Sequence, residues 1–168
     1  NRNTIRSAFR LESAYIPPIC AAITASRGMH ADVNGMRSCL ELLKQRTGLF
    51  SSFRGIAGMA FVTMLSLSPQ PEEQLERMLT VYYSLKELFF GSEYLTVAAQ
   101  VIAEMAEPGQ YGQIAAHTRA VYNRMKSEHP LLTTGEDSAF AALLALSGLD
   151  DAYIVQEMER CYALLKSS

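Results

Sequence analysis

Two loops of similar composition carry the residues best suited to chemistry. One runs Lys44-Gln-Arg-Thr-Gly-Leu-Phe-Ser-Ser-Phe-Arg-Gly55, the other Lys126-Ser-Glu-His-Pro-Leu-Leu-Thr-Thr-Gly-Glu-Asp137. Each sets hydroxyl side chains just before a strongly apolar segment. Hydroxyls and free backbone N–H groups at a helix start receive anions. Arg54 suits a clamp on a carboxylate or phosphate, and His129, Glu136 and Asp137 suit proton acceptance or metal ligation. The candidate ligand-binding residues are therefore Ser51, Ser52, Arg54, His129, Thr133, Thr134, Glu136 and Asp137. A plainer reading competes, in which Ser52 and Thr134 are helix caps and Arg54 pairs with Asp137. The spacing assigns no catalytic role, and neither a cofactor nor a resident metal is expected.

Other chemistry-bearing patterns are missing. There is no glycine-rich phosphate loop, no His-Glu-x-x-His, no Cys-x-x-Cys and no Gly-x-Ser-x-Gly. His30, His117 and His129 fall in separate segments. The acidic pairs Glu72-Glu73 and Asp150-Asp151 sit at expected helix starts, where the dipole accounts for them. The helix tyrosines, Tyr94 among them, suit core edges with the hydroxyl at water. The basic residues are dispersed, so the sequence offers no contiguous face for nucleic acid.

These loops must be positioned by helices. Leu75, Met78, Tyr82, Leu85 and Phe89 recur at alternating steps of three and four, as do Ile154, Met158, Cys161 and Leu165. Such spacing lines one face of an α-helix. The pattern predicts eight principal helices over 16–27, 32–46, 54–67, 71–89, 93–106, 110–127, 136–147 and 151–166, with a leading helix in 1–14. Thr134 with Asp137 resembles a capping box, and Asp150 can cap the last helix. The segments 55–67 and 139–147 are apolar nearly all round, which predicts innermost helices enclosed on several sides.

The helices recur in sets of four. Ala60-Phe61, Met64-Leu65 and Leu67-Ser68 match Ala139-Phe140, Leu143-Leu144 and Leu146-Ser147 at an offset of 79. Leu49, Ser51 and Ser52 match Leu131, Thr133 and Thr134 at an offset of 82. The fold class expected is all-α: stacked antiparallel helix pairs, as a superhelix or bundle, built from two four-helix repeats of about 80 residues. One domain over 1–168 would then comprise a leader (1–14), repeat one (15–91) and repeat two (92–168).

Composition narrows the class. The chain has 168 residues, 49% hydrophobic, with 15 basic against 17 acidic residues for a net charge of −2. That is too apolar for a disordered chain and too balanced for a generic polyanion or anionic-membrane binder. No apolar run is long enough to span a bilayer, and the start is no signal peptide. The missing initiator Met suggests a fragment. Cys20, Cys39 and Cys161 fall at apolar-periodic positions, which predicts buried free thiols and a reducing cytoplasm.

Four segments carry a resemblance: Leu49–Gly55, Tyr94–Ala99, Met125–Thr133 and Ala141–Ser147. In these the chain resembles the bacterial domain-of-unknown-function family four-thousand-three, found mainly in Gram-positive bacteria. The resemblance covers most of the chain and implies a longer natural protein, with Ser168 at a cut. It implies no activity. Glu136-Asp137 keep the two acids the family carries after the Thr motif.

The expected function is therefore a cytoplasmic helical-repeat module that binds a protein or peptide, or serves as a scaffold. The rival is a small-molecule or metal-dependent enzyme with its site at the paired Ser/Thr loops. A third reading is homodimerisation through exposed helix faces. Neither nucleic acid nor membrane is an expected partner.

Overall fold

The computed structural model describes residues 1–9 and 13–166. It is 75% helical, with nine α-helices and no strand among the described residues, so the all-α class holds. The helices are α1 (Arg2–Ala8), α2 (Ile16–Ser26), α3 (Val33–Arg46), α4 (Gly58–Ser66), α5 (Pro71–Lys86), α6 (Glu93–Met105), α7 (Tyr111–Glu128), α8 (Ser138–Leu146) and α9 (Asp151–Lys166). Of the leading helix expected over 1–14, α1 supplies the first part, and residues 10–12 lie outside the described ones.

Local chemistry explains most boundaries. The Asp32 side chain accepts from the Asn34 N–H at 3.0 Å at the head of α3. Ser92 accepts from the Leu95 N–H at 3.2 Å ahead of α6, and Asp150 from the Ala152 N–H at 2.9 Å ahead of α9. Each satisfies a donor that the first helical turn leaves without a partner. Pro71 opens α5, with Glu72 and Glu73 meeting the helix dipole. Gly28 and Gly148 adopt φ of 65° and 70° just past α2 and α8, where a side chain would be strained.

The chain divides into two compact units, Asn1–Arg77 and Met78–Ser168, with the division falling inside α5. In the first unit α4 packs against both α2 and α3, and α1 lies on α2 and α3. Ile5, Met36, Leu43, Phe53, Phe61, Val62 and Leu65 are buried there, and Arg46 reaches Glu76 at 2.6 Å. In the second unit α8 packs against both α6 and α7, and α9 lies on α7. Val121, Tyr122 and Met125 of α7 join Ala141 and Ala145 of α8 in one cluster, and Phe89 meets Tyr122 edge-on at 5.3 Å.

Three expectations need correction. Helix α4 begins at Gly58 instead of residue 54, because Ser52–Arg54 form a separate 3-10 turn that sends the Phe53 ring inward, 5.6 Å from Phe61. A Cβ at Gly58 would come within 2.9 Å of the Phe53 carbonyl oxygen, so glycine permits that turn to fold onto the helix. Helix α8 is not enclosed: Phe140 and Leu143 are exposed. Finally, Cys20 and Cys39 are buried while Cys161 is exposed. Cys161 continues the side of α9 set by Ile154 and Met158, but on its last turns, where Leu164 and Leu165 are exposed as well.

Candidate functional site

The structure assigns the eight candidate residues to two groups. Ser51, Ser52 and Arg54 belong to the first unit; His129, Thr133, Thr134, Glu136 and Asp137 belong to the second. Within the first, Ser51 and not Ser52 is the cap, its hydroxyl accepting from the Phe53 N–H at 3.3 Å. The Arg54 guanidinium donates from Nε to Thr47 Oγ1 at 3.2 Å. Its Nη2 donates to the Lys44 and Thr47 carbonyl oxygens. Arg54 thus satisfies carbonyls that the end of α3 leaves open, a favourable place for a cation.

The second group is also occupied by structural bonds. The Thr134 hydroxyl accepts from the Glu136 N–H at 3.3 Å, and the Asp137 carboxylate accepts from the Thr134 N–H at 2.7 Å. This is the capping box anticipated from the sequence, with Asp in the acidic position. Thr133 is buried. His129, at the C-terminal cap of α7, lies 2.6 Å from Glu159 Oε1 and tilts over the Tyr162 ring at 4.0 Å. His117 likewise lies 2.8 Å from Asp151 Oδ1. Both histidines therefore tie α7 to α9.

Glu136 makes the contact most relevant to a surface. Its Oε1 accepts from the Tyr94 hydroxyl at 2.8 Å. That hydrogen bond, then the charges of Glu136 and Glu93, holds the Tyr94 phenol above its ordinary ionisation range, because a nearby carboxylate opposes a second negative charge. One segment that carried the family resemblance, Tyr94–Ala99, here meets Glu136, the first of the two acids kept after the Thr motif.

The two helices joined by this contact also expose apolar side chains. Tyr94 is 43% exposed, and Val97, one turn on, shares its face of α6. Phe140 and Leu143, 60% and 46% exposed, follow Glu136 by four and seven residues, on the same side of α8. The sequence had marked Glu136 but not these four. For Phe140 and Leu143 the signal was there, since 139–147 is apolar nearly all round. Periodicity read that as enclosure when one side of it is surface. Leu131 and Leu132 in the adjoining loop are exposed as well, as are Leu49 and Phe50 in the first unit.

A cavity of about 200 Å³ lies between α7 and α9, lined by Val121, Met125, Ile154, Val155 and Met158, with Arg124 and Asp151 among its walls. None of the eight candidate residues lines it. Among the described residues no group of three or more His, Cys, Asp or Glu could hold a metal ion. No helix among them is long and apolar enough to cross a membrane.

A family model described as "Protein of unknown function (DUF4003)" matches residues 1–168, so the resemblance read from four segments extends over the chain. No curated protein and no solved structure matches.

Proposed function

The chain belongs to the DUF4003 family, and we propose that it is a protein- or peptide-binding module with its docking surface on the α6–α8 side of the second unit. The observation carrying this reading is the exposure of Tyr94 and Val97 on α6 and of Phe140 and Leu143 on α8, two helices that pack together, with Tyr94 bonded to Glu136 at the approach to α8. Large apolar side chains grouped at a surface mark interaction sites, and aromatic residues there supply much of the binding energy. The rival enzyme reading is weakened by how the polar candidates are used. Arg54, Thr134, Asp137 and His129 are each engaged in caps or inter-helix bonds, and none of them lines the cavity between α7 and α9.

A duplicated origin, with repeats over 15–91 and 92–168, belongs to the same reading. It is supported by the parallel use of α4 on α2 and α3 and of α8 on α6 and α7. A bacterial cytoplasmic setting suits the free thiols of Cys20 and Cys39.

Panning a library of displayed amphipathic helices on the full chain tests the proposal. Binders that lose at least about tenfold, roughly 1.4 kcal/mol, on a Phe140→Ser, Leu143→Ser variant of unchanged circular dichroism support it. A library yielding no binder, or only binders indifferent to that variant, overturns it.

A further inference from the structure

We infer that the segment docking on α6 and α8 is a basic amphipathic helix, with apolar residues on one side flanked by Lys or Arg. The inference rests on the docking reading above and adds the chemistry of the partner. The near-zero net charge conceals an uneven distribution. The first unit carries nine basic against six acidic residues, the second six basic against eleven acidic. Within the second unit the separation is sharper. Residues 87–118 and 127–159 contain all eleven of its acidic residues and not one Lys or Arg. Helices α6 and α8 lie within those two segments.

The acids flank the apolar face. Glu93 opens α6 and Glu136 precedes α8, and both bear electrostatically on Tyr94 at the edge of the face. Glu104 and Met105 are exposed at the far end of α6. The arrangement is a set of exposed apolar side chains on two packed helices, with Glu93 and Glu136 at the helix starts and Glu104 toward the end of α6. Its length suits a helix, since the 13 residues of α6 span about 20 Å, close to four turns. A helix laid in such a surface reads out through apolar anchors at i, i+3 and i+4. Basic flanks would be steered in and registered by the carboxylates, while acidic flanks would meet like charge.

The test uses two synthetic peptides of about 16 residues, long enough to reach helical structure, sharing one Leu/Ala stripe and differing only in Lys or Glu flanks. Each is titrated by fluorescence anisotropy against the full chain, against Glu93→Gln with Glu136→Gln, and against Phe140→Ser with Leu143→Ser. The Lys peptide is expected to bind the wild type at least about tenfold tighter than the Glu peptide at low salt. That gap should shrink several-fold in the Gln variant and at high ionic strength. Both peptides should weaken on the Ser variant. Equal binding of the two peptides, still lost on the Ser variant, overturns the basic partner and leaves the docking surface standing. Binding of the Lys peptide that ignores the Ser variant overturns the inference as unspecific charge attraction. Failure of both peptides to bind overturns the docking reading and the inference together.

Discussion

Helices α4 and α8 occupy matching places in their units, yet they bury opposite kinds of residue. Helix α4 turns Phe61, Val62 and Leu65 inward, and Phe61 is 2% exposed. Helix α8 turns Ala141, Ala142 and Ala145 inward and leaves Phe140, the residue the offset of 79 pairs with Phe61, 60% exposed. Two differences account for this. In the first unit the 3-10 turn delivers Phe53 beside Phe61, whereas the corresponding stretch of the second unit is Gly135-Glu136, which offers no ring. In the second unit α6, which packs on α8, buries alanines of its own, Ala98, Ala99 and Ala103. Small residues on both sides let helices approach closely, so the larger side chains of α8 are left at the surface. One helix completes a core; the other completes a core and keeps an apolar face outside it.

That contrast can be tested by substitution. Phe61→Ala should cost about 3–5 kcal/mol through cavity formation, while Phe140→Ala should stay within about 1 kcal/mol; urea unfolding of the two variants compares them directly. Equal costs would remove the contrast. Overpacking sharpens it from the other side, because Ala142→Leu should destabilise by about 1–3 kcal/mol while Leu143→Ala changes little. Among the loop residues, Arg54→Gln should cost about 1–3 kcal/mol, as it removes charged hydrogen bonds to the end of α3, and melting temperature reads this. Thr134→Ala should cost about 1 kcal/mol for the lost cap. The smallest effect concerns Tyr94. Its neutral form is favoured when folded, so it opposes no folding below the ordinary phenol range and subtracts stability only above it, where the unfolded chain ionises first. Glu136→Gln should bring its ionisation back toward that range in an ultraviolet difference titration.

Much of this fold is written locally. The starts of α3, α5, α6 and α9 follow from caps and acids within a turn of the boundary, and the Thr134–Asp137 box was visible as a spacing. The site was less visible, for physical reasons. Periodicity counts apolar positions but does not weigh their volumes, so the sequence could not tell that α8 buries its alanines and exposes Phe140. Two of the acceptors of Arg54 are backbone carbonyls at the end of α3, and a carbonyl has no side-chain signature. Ser51 instead of Ser52 became the cap because the 3-10 turn begins one residue earlier than an α-helical start would place it. The charge segregation was present in the sequence throughout, but it gained meaning only with α6 and α8 packed together.

The most direct measurement is a methyl NMR spectrum of the full chain titrated with the Lys-flanked amphipathic peptide. The docking account predicts shifts at the Val97 and Leu143 methyl groups and none at Val62 or Leu65 inside the first unit. Shifts confined to the first unit or to α9, with Val97 and Leu143 unmoved, would contradict it.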